Sequence, residues 1–90
     1  MTTREKDVER AFVRRVEKAG GRAYKLTSPG RRNVPDRIVV MPGGTPWFAE
    51  IKAPGEKLRP GQMAEVEKLR AMGQRIKVID SIDAANEVPL

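Results

Sequence analysis

The chain has 90 residues, with 18 Lys and Arg against 12 Asp and Glu, a formal charge of +6, and no cysteine or histidine. This length predicts one domain, residues 1–90, and the charge favours a polyanionic partner, nucleic acid ahead of an anionic membrane surface. The missing residue types exclude disulfides, a thiolate nucleophile, a Ser-His-Asp triad and a His/Cys zinc site. Acid-base chemistry then falls to Asp, Glu, Lys, Tyr or metal-bound water. No apolar run approaches the ~18 residues of a membrane span, and no signal-peptide core follows Met1, which predicts a soluble protein that is not exported by that route.

In chain order the sequence predicts helix 3–19, strand 22–26, a basic loop 27–34, strands 36–41 and 46–52, helix 60–72, strand 75–79 and helix 82–88. Apolar residues at the helical period mark the helices, and β-branched runs bounded by Gly and Pro mark the strands. The turn Pro42-Gly43-Gly44 predicts an antiparallel hairpin. The helix between the last two strands predicts that those strands are parallel. The order αβββαβα is therefore typical of an α/β domain with a mixed central sheet flanked by helices.

The predicted hairpin brings acidic residues together. Alternation along the third strand places Glu50 and Lys52 on one face with Phe48, and Trp47 on the other. If Pro42, Gly43 and Gly44 form a three-residue loop, Asp36 lies opposite Glu50. Like charges there repel, and a divalent cation such as Mg²⁺ would offset the repulsion. The alternative is that Lys52 neutralises Glu50 on a solvated strand face.

Three features now point to one family: the motif NVPDR at 33–37, the motif EIKAP at 50–54 after a glycine hairpin, and Gln62 at the next helix start. Over about residues 5–80 the chain resembles the VRR-NUC group of the PD-(D/E)xK nuclease superfamily, in its small stand-alone form. The resemblance implies a restriction-endonuclease-like fold and a Mg²⁺- or Mn²⁺-dependent endodeoxyribonuclease.

The resemblance also implies roles for individual residues. The implied metal ligands are Glu9, Asp36, Glu50 and the backbone carbonyl of Ile51. The implied catalytic residues are Asp36, Glu50, Lys52, beside the attacking water, and Gln62, which reaches toward the site. Glu5 lies one turn before Glu9 on much the same helix face and competes for its role. A solvated helix carboxylate and a surface amide are the plain alternatives for Glu9 and Gln62.

Basic residues surround the predicted site in sequence. The candidates for phosphate contacts are Lys25, Arg31, Arg32, Arg37, Lys57 and Arg59. Solubilising surface charge is the alternative for each. We interpret Arg14, Arg15 and Lys18 on the first helix as an ordinary solvated face.

These observations favour a metal-dependent, structure-selective endonuclease that leaves 5′-phosphates, and the resemblance implies that it acts on branched DNA, such as a four-way junction. Likeness to small Holliday junction resolvases implies a homodimer, because a two-fold axis would present two sites to two strands. Trp47 suits packing under a helix or a subunit interface, and in a dimer Trp47, with Met41 and Met63 beside it, is the expected interface. The resemblance also implies a cytoplasmic setting, in a bacterial or phage-infected cell. The alternatives are a general DNA nicking or processing nuclease, and a non-catalytic basic DNA-binding protein.

Overall fold

A computed structural model describes residues 2–90 of the chain. Its elements are α1 (Glu5–Lys18), β1 (Arg22–Lys25), β2 (Arg37–Val40), β3 (Trp47–Ile51), α2 (Pro60–Ala71), β4 (Ile76–Ile79) and α3 (Ile82–Glu87). The predicted order and the α/β class are confirmed. Every predicted element is present, and its ends differ from the prediction by at most two residues, as expected where terminal residues lack a backbone partner.

The four strands form one sheet in the order β1-β2-β3-β4. The first three strands are antiparallel neighbours, and β4 lies parallel to β3. Arg37 is opposite Ala49 and Val39 is opposite Trp47, so the predicted hairpin register is confirmed. The Gly44 N–H closes the connecting turn on the Met41 carbonyl at 3.0 Å.

The main core lies between the sheet and the helices α1 and α3. Val8, Phe12 and Val16, spaced at one helical turn, are fully buried with Trp47 in this cluster. The rings of Phe12 and Trp47 meet edge to face with centroids 5.9 Å apart. The Arg75 guanidinium lies 4.8 Å from the Trp47 ring centroid. The expectation that Trp47 forms a subunit interface is wrong, because the chain's own core and cations cover its ring.

The opposite face of the sheet is only partly covered. Helix α2 packs on β4, where Val66 and Ile76 are buried outside the main cluster. The β1–β2 side has no helix over it among residues 2–90, and Tyr24 on that face is 57% exposed. Met63 on α2 is also exposed. The molecule thus has one thick, well-packed layer and one thin layer.

The short helix α3 is held at both ends. The Ser81 hydroxyl accepts a hydrogen bond from the Ala84 N–H at 2.9 Å, which caps the helix N-terminus. The Arg15 guanidinium donates to the Val88 carbonyl at 2.6 Å. These contacts close α3 against α1 and complete the core. No helix in the described part of the chain is long and apolar enough to cross a bilayer.

The two phenylalanines provide a matched test of this asymmetry. Phe12→Ala should cost about 3–5 kcal/mol of unfolding free energy, since it empties a fully buried site against Trp47. Phe48→Ala, the same change at a half-buried position on the thin side, should cost clearly less. Denaturant unfolding followed by Trp47 fluorescence measures both, and equal losses would contradict the described core.

Candidate active site

The chain topology brings the predicted site residues to one end of the sheet. Asp36 immediately precedes β2, Lys52 immediately follows β3, and β2 and β3 are antiparallel. The loop 26–36 and the loop 52–59 therefore leave from the same end. Helix α1 turns into β1 at the far end, so its N-terminus also points toward this end. The site is assembled from α1, two strands and two loops.

Asp36 lies at the open end of the β2–β3 hairpin, away from the connecting turn. The register of β2 and β3, carried one residue beyond Arg37, places Asp36 opposite Glu50. The Leu26 N–H donates to the Asp36 carbonyl at 3.0 Å, so the backbone of Asp36 is held by the chain leaving β1. Its carboxylate Oδ2 accepts the Ile51 N–H at 2.7 Å. One carboxylate oxygen is thus fixed, and Oδ1 remains for another partner.

Glu50 is the most constrained ionisable residue of the site. Only 1% of it is exposed, and no N–H or hydroxyl group of residues 2–90 donates a hydrogen bond to its buried oxygens Oε1 and Oε2, so that among those residues its hydrogen-bonding neighbour is another acid, Asp36. Burial, followed by the nearby Asp36 carboxyl, raises the pKa of Glu50 to about 8, and the charge of Lys52 opposes that rise. A cation between Asp36 and Glu50 would supply the missing charge.

Lys52 lies within the protein and not on a solvated strand face. It is 5% exposed, and its backbone N–H donates to the Ile79 carbonyl at 2.9 Å, which continues the parallel pairing of β3 with β4. Within the described residues its side chain has no carboxylate within 4.0 Å. The arrangement differs from a simple exposed Glu50–Lys52 ion pair, because both residues are buried and their side chains form no ion pair with each other.

The two first-helix carboxylates have different surroundings. Glu9 Oε2 accepts from Arg37 Nε at 3.0 Å, and Arg37 also donates to the Ala23 carbonyl at 2.8 Å. Arg37 belongs to the sheet face that carries Ala49, opposite to the face of Glu50. Desolvation, followed by the charge of Asp36, raises the pKa of the Glu5 carboxyl. The charge of Asp36 therefore acts on the Glu5 carboxyl, whereas the Glu9 carboxylate is bound by Arg37.

Gln62 is buried at the first turn of α2. Its Oε1 accepts the Arg59 N–H at 2.9 Å, which satisfies a backbone donor at the helix start. The adjacent Gly61 lies against the side chain of Asn33, and a Cβ at position 61 would approach Asn33 Nδ2 to 2.6 Å. Asn33 has φ 65°, a left-handed conformation that asparagine tolerates better than most residues. This contact fastens the basic loop to the start of α2.

Most predicted phosphate contacts are exposed around the same end of the sheet. Those in the two loops or at the end of β1 are Lys25, Arg31, Arg32, Lys57 and Arg59, and all are exposed. Arg37 differs, because Glu9 and Ala23 engage its guanidinium on the α1 side. Five of the six predicted cations thus lie at the surface, and one is bound within the fold.

No group of three acidic side chains within residues 2–90 is close enough to form a complete metal cluster. The donors nevertheless fit a hard divalent ion, since the acids Asp36 and Glu50 are opposed, no N–H or hydroxyl group of residues 2–90 donates to Glu50, and the Ile51 carbonyl follows them. The sequence analysis missed Glu56, which accepts the Ala53 N–H at 3.0 Å and whose charge raises the pKa of Glu5. The sequence Ala53-Pro54-Gly55-Glu56 has the Pro-Gly pair that is typical of a turn, and this pattern could have predicted the contact between Glu56 and Ala53.

Comparison with known proteins agrees with the geometry. The chain is 49% identical over 86 residues to "Putative nuclease p44" of Acyrthosiphon pisum secondary endosymbiont phage 1, covering 96% of this chain and 92% of the relative. It is also similar to a solved structure described as "VRR_NUC domain", with a TM-score of 0.86 and 31% identity, covering 96% of this chain and 94% of the other. No protein-family model matches the chain.

The buried Glu50 makes stability depend on pH in metal-free solution. Its pKa is raised from 4.5 to about 8, so the folded protein binds this proton more tightly than the unfolded chain. Unfolding free energy should fall as pH rises from about 5 to about 8. Glu50→Gln should remove this fall and raise the melting temperature at about pH 8 by ~4–8 °C per kcal/mol gained. Thermal melts in EDTA measure the effect.

Glu67→Gln is the matched control, because Glu67 is exposed on α2. That variant should keep the wild-type dependence on pH. A Glu50→Gln protein that also kept it would show that the Glu50 carboxyl ionises as easily in the folded chain as in the unfolded one.

Proposed function

We propose that this chain, which belongs to the VRR-NUC family of nucleases, is a divalent-metal-dependent endonuclease that cuts branched DNA and leaves 5′-phosphates. The observation that carries the proposal is the buried Glu50 carboxyl opposite Asp36, which receives no N–H or hydroxyl hydrogen bond from residues 2–90 and has another acid as its hydrogen-bonding neighbour. A structural ion-pair network would give those oxygens a cationic partner. A site for a hard cation and a phosphate leaves them available.

Asp36, Glu50 and the Ile51 carbonyl would hold Mg²⁺ or Mn²⁺. For the ligand from α1 we propose Glu5 in place of Glu9, because Glu9 is occupied by Arg37 and Glu5 responds to the charge of Asp36. When bound, such a metal polarises the scissile phosphate and lowers the pKa of a coordinated water. The raised pKa of Glu50 disfavours its ionised form, and a bound cation would offset this by compensating the negative charge.

The protein's own residues supply the remaining chemistry. Lys52 places a cation next to Glu50 inside the fold, where it can orient the attacking water or stabilise charge that develops on the phosphate. The oxygen of Gln62 caps α2, which leaves its NH₂ group to donate to substrate or water. Both residues are buried, so their positions are fixed before DNA binds.

The exposed cations of the two loops would bind phosphates on either side of the cut. Arg31 and Arg32 lie in the loop that Asn33 fastens to Gly61, and Lys57 and Arg59 lie in the loop after β3. Arg37 has a smaller part in this proposal, because its guanidinium already donates to Glu9 and Ala23. Contacts of this kind position DNA without reading its bases.

The substrate preference and the homodimer rest on the likeness to small junction resolvases. Two sites related by a two-fold axis would cut two strands of a four-way junction. With Trp47 buried, only exposed Met63 and half-buried Met41 remain from the expected interface. The named relative belongs to a phage, which supports a cytoplasmic setting in a bacterial or phage-infected cell.

A cleavage assay tests the proposed function. Wild-type protein should cut a labelled four-way junction faster than a matched linear duplex in Mg²⁺, and should cut neither in EDTA. Lys52→Ala should lower the cleavage rate by about 10²-fold or more while keeping junction binding, since it removes one contact to the reacting phosphate. Asp36→Ala should abolish cleavage and keep the fold.

Each alternative has its own outcome in that assay. Equal rates on junction and duplex would favour a general nicking nuclease. Binding without Mg²⁺-dependent cleavage would favour a non-catalytic DNA-binding protein. Lys52→Ala cleavage within a few-fold of wild type would return Lys52 to a structural role.

The two first-helix acids can be separated by metal-linked stability. Mn²⁺ should raise the melting temperature of the wild-type protein, as any ligand that binds only the folded state does. Glu5→Gln should reduce that rise and slow cleavage at least tenfold. Glu9→Gln should keep the rise, although it leaves Arg37 without its carboxylate. The reverse pattern would make Glu9 the ligand.

A further inference from the structure

A row of cations runs along the exposed side of α1. Its members, which we call the cation stripe, are Lys6, Arg10, Arg14 and Lys18. All four are exposed, and within residues 2–90 none has a carboxylate within 4.0 Å or donates a side-chain hydrogen bond. They are four of the 18 Lys and Arg residues of the chain, and they form no side-chain ion pair or hydrogen bond within the described fold.

The spacing of the cation stripe is regular. Its members are four residues apart, so they follow one face of the helix, and the opposite face carries the buried residues Val8, Phe12 and Val16. From Lys6 to Lys18 the row spans ~18 Å at 1.5 Å per residue. Like charges at this spacing repel and weaken a helix. The stripe is therefore not explained by the stability of α1.

The acids of α1 do not neutralise the stripe. Asp7 accepts the Arg4 N–H at 2.9 Å and lies 3.8 Å from the Arg4 Nε. Glu9 is bound by Arg37, and Glu5 is influenced by the charges of Asp36 and Lys52. Glu17 is exposed and forms no ion pair among the described residues. Arg10, Arg14 and Lys18 also line the grooves on both sides of α1, together with Asp7 in one groove and with Glu9 and Glu17 in the other.

The stripe also has a direction. It begins at Lys6, next to Glu5 at the active-site end, and continues to Lys18, where the chain turns back into β1 at the far end. A polyanion leaving the active site along α1 would meet one cation at each helical turn.

We propose that the cation stripe binds the sugar-phosphate backbone of a DNA segment beyond the cleaved bond, so that α1 holds one arm of the branched substrate. The inference rests on the proposed function for the identity of its substrate. One DNA strand carries a phosphate every ~3.4 Å along the duplex axis, so ~18 Å presents about five phosphates to four cations. The proposed interaction needs no base recognition, because contacts to phosphates position a duplex without reading its sequence.

The test compares two variants with the same reduction in charge. The stripe variant is Arg10→Gln with Arg14→Gln, and the control is Arg22→Gln with Lys68→Gln, two exposed cations on β1 and α2. Dissociation constants for a long-armed junction are measured against salt concentration in EDTA, where no cleavage occurs. The stripe variant should lower the slope of log affinity against log salt by about two units, at roughly 0.9 for each phosphate that is no longer neutralised. The control should change it by well under one unit.

Two further measurements separate this site from the active site. A junction whose arms end within a few base pairs of the crossover should be cut by the stripe variant within a few-fold of wild type, whereas long-arm binding weakens about tenfold or more. The melting temperature of the stripe variant should stay equal or rise, because a like-charge pair is removed. A second variant, Lys6→Gln with Lys18→Gln, should reproduce the reduced slope.

Several outcomes would overturn the proposal. Equal slope changes in the stripe and control variants would mean that only total charge matters. An unchanged slope in both stripe variants, with loss of binding to phosphatidylserine vesicles, would assign the stripe to a membrane surface. Wild-type protein that binds long arms through the stripe but never cuts DNA would overturn the proposed nuclease function alone.

Discussion

The constraint on which the site depends is the forced burial of the Glu50 carboxyl. Side chains alternate along β3, and the neighbours Ala49 and Ile51 lie in the main core. Glu50 therefore cannot turn outward without pulling those two residues out of the core. Each pKa unit by which its ionisation is disfavoured corresponds to ~1.4 kcal/mol. The packing of Ala49 and Ile51 in the main core therefore keeps the Glu50 carboxyl buried on the other face of the sheet, although its burial is unfavourable.

Much of this arrangement could be predicted from local patterns. Strand alternation and the Pro-Gly-Gly turn together fixed the hairpin register, and the register placed Asp36 opposite Glu50. The capping serine and the helix ends also followed from short-range rules. These features depend on neighbours a few residues apart. The hairpin carries most of the site, so most of the site was predictable.

Features that depend on distant packing were not predictable. Glu5 and Glu9 are one turn apart on α1, and only the ion pair of Glu9 with Arg37, 28 residues away, distinguishes them. Trp47 fitted either an interface or a core, because an apolar strand residue signals burial without saying what buries it. The answer depended on how α1 lies across the sheet and brings Phe12 onto the indole. Periodicity gives the face of a helix and not its partner.

The contact between Asn33 and Gly61 has a consequence for variation of the basic loop. Surface loops commonly tolerate changes in length, because their tips contact little else. Here the last part of the loop rests on the backbone of α2, one residue before the buried Gln62. An inserted or deleted residue between Leu26 and Asn33 would shift the anchor along with the arginines. A change in the length of this loop would therefore require a matching shift at the start of α2, and that shift would also move Gln62.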